Sequence, residues 1–275
     1  MFCVKIRKST QQTTIYNSLY NIEWPVLNVL AFTTTRLHPQ KKSLSSNHSY
    51  SSVYGQFNLG EHVGDDLVNV NKNRASLLAY LPLNTKIQWL EQVHGNKVVT
   101  IESYSKTPLV ADAIITRQKN IALAVMTADC LPILLTAIDG SEIAAIHGGW
   151  KPLAKNIITN TVNNMKTDNE NIIAWLGPCI GEYAFEVGQE VKCAFESQSE
   201  KFVSAFTAIN EPLALEKHKG KYLANLAMIA RIQLNTLGIN KVHHLNHCTY
   251  SNEQQYYSYR RDTITGRMVS IICRK

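Results

Sequence analysis

Long apolar runs are missing from this chain. The longest candidate, residues 121–138, is interrupted by Asp129 and Pro132, short of the roughly 18–20 unbroken residues that a membrane-spanning helix needs. No hydrophobic stretch follows the basic residues Lys5, Arg7 and Lys8, so no secretory signal is read there and a cytoplasmic location is expected. Cysteine is sparse: Cys3, Cys130, Cys179, Cys193, Cys248 and Cys273 stand far apart along the chain. This spacing excludes CxxC redox pairs, zinc ribbons and a disulfide scaffold, and any functional thiol must find its partners through the fold. Proline and glycine are modest, at 8 and 13 of 275 residues, while hydrophobic residues make up 45%. That composition belongs to a folded globular protein, not a disordered or fibrous one.

Acidic residues are scarce at the start of the chain. Residues 1–50 carry Lys5, Arg7, Lys8, Arg36, Lys41 and Lys42 against Glu23 alone, and so hold most of the net charge of +7. A basic segment can meet an anionic partner, but no aromatic-interleaved basic tract or zinc-finger spacing accompanies it, and nucleic acid is not expected as a partner.

What is present is a succession of short β-branched runs from about residue 85 onward. Strands are expected at Lys97–Ile101, Ala111–Thr116, Ile121–Thr127, Ile133–Ile138, Ile143–His147, Ile172–Leu176, Lys241–Leu245, Tyr256–Tyr259 and Met268–Cys273. Helical spacing predicts helices over residues 152–166, with Pro152 in the first turn, and over 222–237, ended by Gly238. Residues 41–58, rich in Ser, Asn and Tyr, read as a surface loop. The strands cluster instead of alternating strictly with helices. The expectation is therefore an α/β fold of the α+β type, a single-domain mixed-sheet sandwich flanked by helices over residues 1–275, with 1–25 as a candidate N-terminal extension.

Three segments place a metal-binding residue where an apolar run gives way to a loop: Gln92-Val93-His94-Gly95, Thr127-Ala128-Asp129-Cys130 and Ile146-His147-Gly148-Gly149-Trp150. Two imidazoles and a thiolate suit Zn²⁺ and leave a fourth coordination position open, as in catalytic sites. Singly, each has an ordinary alternative: a strand-end His with its polar atoms satisfied, or a small Cys in a core. Asp129, alternating with Cys130 in an extended chain, is expected to orient a loop or a histidine and not to touch substrate. In the cluster His243-His244-x-x-His247-Cys248, strand alternation splits the side chains between two faces, against a second metal site. Cys179, between Gly177 and Gly181, reads as a small residue in a turn.

Longer motifs carry a resemblance. FNLGEHVGDD (57–66), WLEQVHGNKV (89–98), ADAIIT (111–116), TADCLPILL (127–135), IAAIHGGW (143–150), AWLGPCIG (174–181), FEVGQEV (185–191), CTYS (248–251) and SYRRDTITGRMVSII (258–272) resemble the bacterial laccase-domain family. That family is also called polyphenol-oxidase-like and peptidoglycan editing factor, and its members are described as multifunctional purine nucleoside phosphorylases. The resemblance implies that His94, Cys130 and His147 are the zinc ligands and catalytic centre. It also implies a sandwich similar to the catalytic domain of cytotoxic necrotizing factor toxins. The implied activity is phosphorolysis of adenosine, inosine and S-methyl-5'-thioadenosine, with deamination of adenosine; purine nucleoside and phosphate are then the partners. An alternative implied by some members is an amidase that removes wrongly added serine from a muramic acid nucleotide. The sequence departs from the family pattern at Gly148, Lys151 and Pro152, and at Leu37–Lys42.

Phosphorolysis needs an anion site, and the turn His147–Pro152 with Lys151, leading into the expected helix, is one candidate. Asn58, His62 and Arg260 in matched motifs are the other expected substrate contacts. No H-x-E element of the nucleobase-deaminase kind occurs, and the proton donor stays unassigned. A copper oxidase is a poorer reading, because nine histidines include no H-x-H pair to build an oxygen-reducing cluster. A non-catalytic scaffold would hold no metal.

Overall fold

The computed structural model describes residues 18–40, 53–209 and 220–275. Two sheets lie face to face. The first runs in the order Leu19–Asn21, Val29–Thr34, Met268–Arg274, Ile121–Thr127, Lys86–Gln88, antiparallel except for its last pair. The second runs Lys241–His244, Ile172–Leu176, Leu131–Ala137, Ile143–Gly148, Ala113–Thr116, Val98–Ile101, with parallel pairs at its two edges and antiparallel ones within. The mixed-sheet expectation holds.

Side-chain alternation explains the layering. In Ile121–Thr127, residues Ile121, Leu123 and Val125 face the second sheet and meet Leu134, Ala145 and Ile173. Their neighbours Ala122, Ala124 and Met126 face outward onto Phe57, Leu59 and Leu77. In Leu131–Ala137, residues Leu131, Ile133 and Leu135 face the opposite way, under the helices Ile157–Asn164 and Leu226–Thr236. Strands covered on both faces must be apolar at nearly every position, which is why they read as continuous runs. Full burial of each such Leu, Ile or Val contributes about 1.5–3 kcal/mol.

Several elements differ from expectation. The helix expected over 152–166 is split into Trp150–Ala154 and Ile157–Asn164, because Asn156 takes φ 60 and breaks the hydrogen-bond ladder. The helix expected over 222–237 starts at Leu226: Asn225 caps it by accepting from Met228 N at 2.8 Å, and Lys221–Ala224 instead pairs with Glu186–Gly188 and Phe206–Ala208. Tyr256–Tyr259 is no strand. Tyr256 and Tyr257 are fully buried, and the Tyr257 hydroxyl donates to the Tyr54 carbonyl and accepts from Phe57 N, pinning a loop that leads to the one-turn helix Tyr259–Asp262.

The strand Val29–Thr34 and the helix Leu67–Leu77 lie outside the expected elements. That helix buries only Val70, Asn73 and Leu77, too thin a stripe to show as periodicity, and its start is set by Asp66 accepting from Val68 N at 2.8 Å. Of the expected extension over 1–25, residues 1–17 lie outside the described residues, while Leu19–Asn21 is an edge strand of the first sheet. Of the expected loop over 41–58, residues 41–52 lie outside the described ones, and Phe57 and Asn58 are buried, not at the surface. Arg36, one of the basic N-terminal residues, is also buried, with Nη1 donating to the Glu253 carbonyl. Among the described residues no helix is long and apolar enough to cross a membrane.

Candidate metal centre and its cavity

The chain leaves the first sheet at Thr127 and enters the second at Leu131. The link is a sharp corner in which Asp129 has φ 93, and Cys130 sits on it, half-buried. His147 lies on the adjacent strand, paired in register with Pro132. His94 comes from a separate loop, also on a left-handed turn, with φ 55. The Cys130 Sγ stands 3.9 Å from His94 Nε2, and one donor atom from each of the three residues falls within 4.8 Å of the others. The two imidazole rings meet edge to face at 4.7 Å.

One buried carboxylate organises this group. Asp112 accepts from His147 Nδ1 at 2.8 Å, from His94 N at 3.0 Å and from Gly95 N at 2.6 Å. It therefore fixes the His147 ring so that Nε2 is the free nitrogen, and anchors the backbone of the His94 turn. Burial pushes the Asp112 carboxyl up, yet hydrogen bonds from His147 and Gly95 outweigh that and hold it below its ordinary value. Burial likewise raises the Cys130 thiol, but the His147 and His94 imidazoles bring it down, favouring the thiolate that a metal requires. Gln92 secures the loop from the other side. Its Oε1 accepts from Met126 N and its Nε2 donates to Met126 O, both at 2.8 Å, extending the edge of the Ile121–Thr127 backbone. Neither Asp112 nor Gln92 stands out in the sequence; the available signal is that Gln92 shares the motif of His94 and that Asp112 is an acid inside the otherwise apolar motif ADAIIT.

Asp129 orients a loop and no histidine. Its carboxylate accepts from Thr249 Oγ1 at 2.7 Å, Ser258 Oγ at 3.0 Å and Arg260 N at 2.7 Å, drawing two C-terminal motifs against the Cys130 corner. Gly149 is needed for space, since a Cβ there would lie 3.0 Å from Cys130 Sγ and 3.3 Å from His94 Cδ2.

The group opens into a cavity of about 770 Å³ lined also by His62, Met126, Trp150, Lys151, Lys155, Phe185, Tyr259, Arg260 and Arg267. Of the expected substrate contacts, His62, Lys151 and Arg260 line it. Asn58 does not: it is buried, donates to Gly60 O and Asp65 Oδ2, and accepts from Gly60 N and Arg267 N, so its amide is committed to the loop. Burial, then the charges of Arg267 and Arg74, lowers the pKa of His62 and favours its neutral form. The helix is Trp150–Ala154, so Lys151 lies within it, not ahead of it, and at five residues it carries little of the dipole expected to favour an anion there. Among the described residues no second group of His, Cys or acids converges as a metal site; His247 Nδ1 is instead hydrogen-bonded with the Tyr256 hydroxyl at 2.8 Å. Cys179 is buried, and burial pushes its thiol far up, so it is a core residue and no nucleophile.

The donor set fits a borderline-soft divalent ion: one thiolate, two imidazoles, a carboxylate behind one of them, and access from the cavity. The chain is 42% identical over 253 residues to a purine nucleoside phosphorylase of Haemophilus influenzae, covering 92% of this chain and 97% of that one. It is 41% identical over 219 residues to the Escherichia coli purine nucleoside phosphorylase YfiH, covering 80% and 86%. A crystal structure of a Neisseria meningitidis protein superposes with a TM-score of 0.83 at 35% identity, over 94% of this chain and 100% of that one. Residues 42–275, which contain His94, Cys130 and His147, match the family described as multi-copper polyphenol oxidoreductase laccase, and the chain belongs to that family.

Proposed function

We propose that this chain is a zinc-dependent purine nucleoside phosphorylase acting on adenosine, inosine and S-methyl-5'-thioadenosine, and that it also deaminates adenosine. The observation that carries the reading is the convergence of His94, Cys130 and His147 in a cavity whose other walls present Lys151, Lys155, Arg260 and Arg267. The names of its relatives support it. In phosphorolysis a phosphate oxygen bonds to the ribose anomeric carbon, the bond to the purine breaks, and the purine leaves with a proton. The cations offset the charge of the incoming phosphate. Trp150 and Tyr259 offer aromatic faces to the purine. When bound, zinc at this site supplies a Lewis acid that polarises an oxygen of phosphate or substrate. Neutral His62 is a cavity group able to hydrogen-bond the departing base, as donor at one ring nitrogen or acceptor at the other.

The test is metal analysis of the purified protein, followed by chromatography of adenosine and inosine reactions with and without phosphate. Phosphate-dependent release of adenine and hypoxanthine, and phosphate-independent inosine from adenosine, are expected. A zinc-loaded protein that leaves every nucleoside intact overturns the reading. Turnover of the serine-bearing muramic acid nucleotide in its place would point to the amidase, and stoichiometric copper with phenol-dependent oxygen uptake to an oxidase.

A further inference from the structure

The arginines of this fold divide by what neutralises them. Arg74 pairs with Glu61, Arg117 with Glu102 and Glu142, and Arg261 with Asp262. Arg267 lines the cavity and pairs with no carboxylate among the described residues. The nearby acid Asp129 is already committed to Thr249, Ser258 and Arg260 N. Arg267 donates through Nη1 to the carbonyls of Thr265 and Gly266, both at 3.0 Å, which orients the guanidinium and leaves its Nε and Nη2 edge without an acceptor among the described residues. That edge is the fork that grips two oxygens of an oxyanion at once.

The surroundings hold this arginine in place. Asn58 Oδ1 accepts from Arg267 N at 2.9 Å, and Leu59 N donates to Arg267 O at 3.2 Å. The stem runs over Gly60, where an added Cβ would lie 2.8 Å from Arg267 Cγ. The Tyr259 ring lies 6.0 Å from the guanidinium carbon. A half-buried cation with no carboxylate paired to it is costly unless a ligand supplies the charge. Desolvation lowers the pKa of Arg267 in keeping with this, and the charges of Cys130 and Asp129 act against the lowering.

We infer that Arg267, with His62 beside it, is the principal oxyanion subsite of the cavity and holds inorganic phosphate, ahead of Lys151 and Arg260. This rests on the phosphorylase reading for its occupant. Arg260, held at Nη1 by the Glu186 carbonyl, and Lys151, beside Trp150, are both exposed; Arg267 is the half-buried one, whose charge costs more to leave without a counter-ion.

The experiment titrates inorganic phosphate into the metal-loaded full chain by calorimetry, for wild type, Arg267→Gln, Arg267→Lys and Gly60→Ala, with thermal melting as the folding check. Phosphorolysis kinetics run in parallel. Arg267→Gln is expected to weaken phosphate binding by at least about tenfold and to raise the KM for phosphate while the KM for nucleoside stays put, with only partial rescue by Lys because the paired geometry is lost. Gly60→Ala, which displaces the stem without removing charge, should weaken phosphate binding in the same direction. Phosphate binding unchanged in a folded Arg267→Gln protein overturns the assignment, and so does full rescue by Lys with no effect of Gly60→Ala. Arginine-dependent phosphate binding in a protein that cleaves no nucleoside supports the subsite and removes the phosphorylase reading alone.

Discussion

The metal end of the cavity and its cationic wall are built on different principles. The candidate metal end is set by sheets: Cys130 sits on the corner between two strands, His147 lies near the end of a neighbouring strand, and buried Asp112 ties the His94 turn to His147. The wall is assembled from loops remote in sequence: Asn58 Oδ1 accepts from Arg267 N and joins residues 58–62 to 258–267, and the Asp129 carboxylate accepts from Ser258 and Arg260 N and ties the second loop to the Cys130 corner. The metal end is thus a rigid template, whereas the wall depends on a few polar side chains, each holding several partners. Substitutions at the first should act on metal, and at the second on the anion and its affinity.

The sharpest break in that contrast comes from Cys130→Ala. It should abolish zinc binding and turnover together while circular dichroism and melting stay near wild type, as measured by metal analysis and nucleoside assays; an active Cys130→Ala protein would end the metal-site reading. Next is Asp112→Asn, which leaves the His147 ring and the His94 turn poorly held. Metal affinity should fall by about 10–100-fold, measured by competition with a chelator, with about 1–3 kcal/mol lost in chemical denaturation. Asp129→Asn should show the reverse pattern. Zinc content stays intact, but the KM for phosphate rises by roughly tenfold as the Arg260 segment loosens, a cost of about 1.4 kcal/mol; a loss of zinc in this variant would erase the distinction between the two ends. The smallest effect is expected for Gly149→Ala, whose methyl presses on Cys130 and His94. It should weaken zinc by a few-fold, on the order of 1 kcal/mol of overpacking, with anion binding unaffected.

The same contrast explains how much was legible beforehand. His94, Cys130 and His147 stood out because each ends an apolar run, and strands such as Ile121–Thr127 and Ile172–Leu176 appear with the expected boundaries. Lys151, expected from the turn ahead of a helix, and Arg260, expected from its motif, both line the cavity. Asn58 shared their motif character but turned inward, and Arg267 was passed over, because no local pattern says whether a polar side chain in a loop faces its own backbone or a cavity 200 residues away. The aromatic segment Tyr256–Tyr259 looked like a strand for a related reason: large buried rings raise apparent strand propensity even when, as for Tyr257, a hydroxyl bonded to the Tyr54 carbonyl fixes a loop.

The amino-acid order alone determined the apolar runs, their lengths and the ligand types placed at their ends, since burial on both faces of a strand dictates composition locally. Only the tertiary structure decided which carboxylate stands behind His147 and which half-buried arginine lines the cavity without a paired carboxylate, because charge pairing and hydrogen bonding act through space between groups that the chain order leaves unrelated.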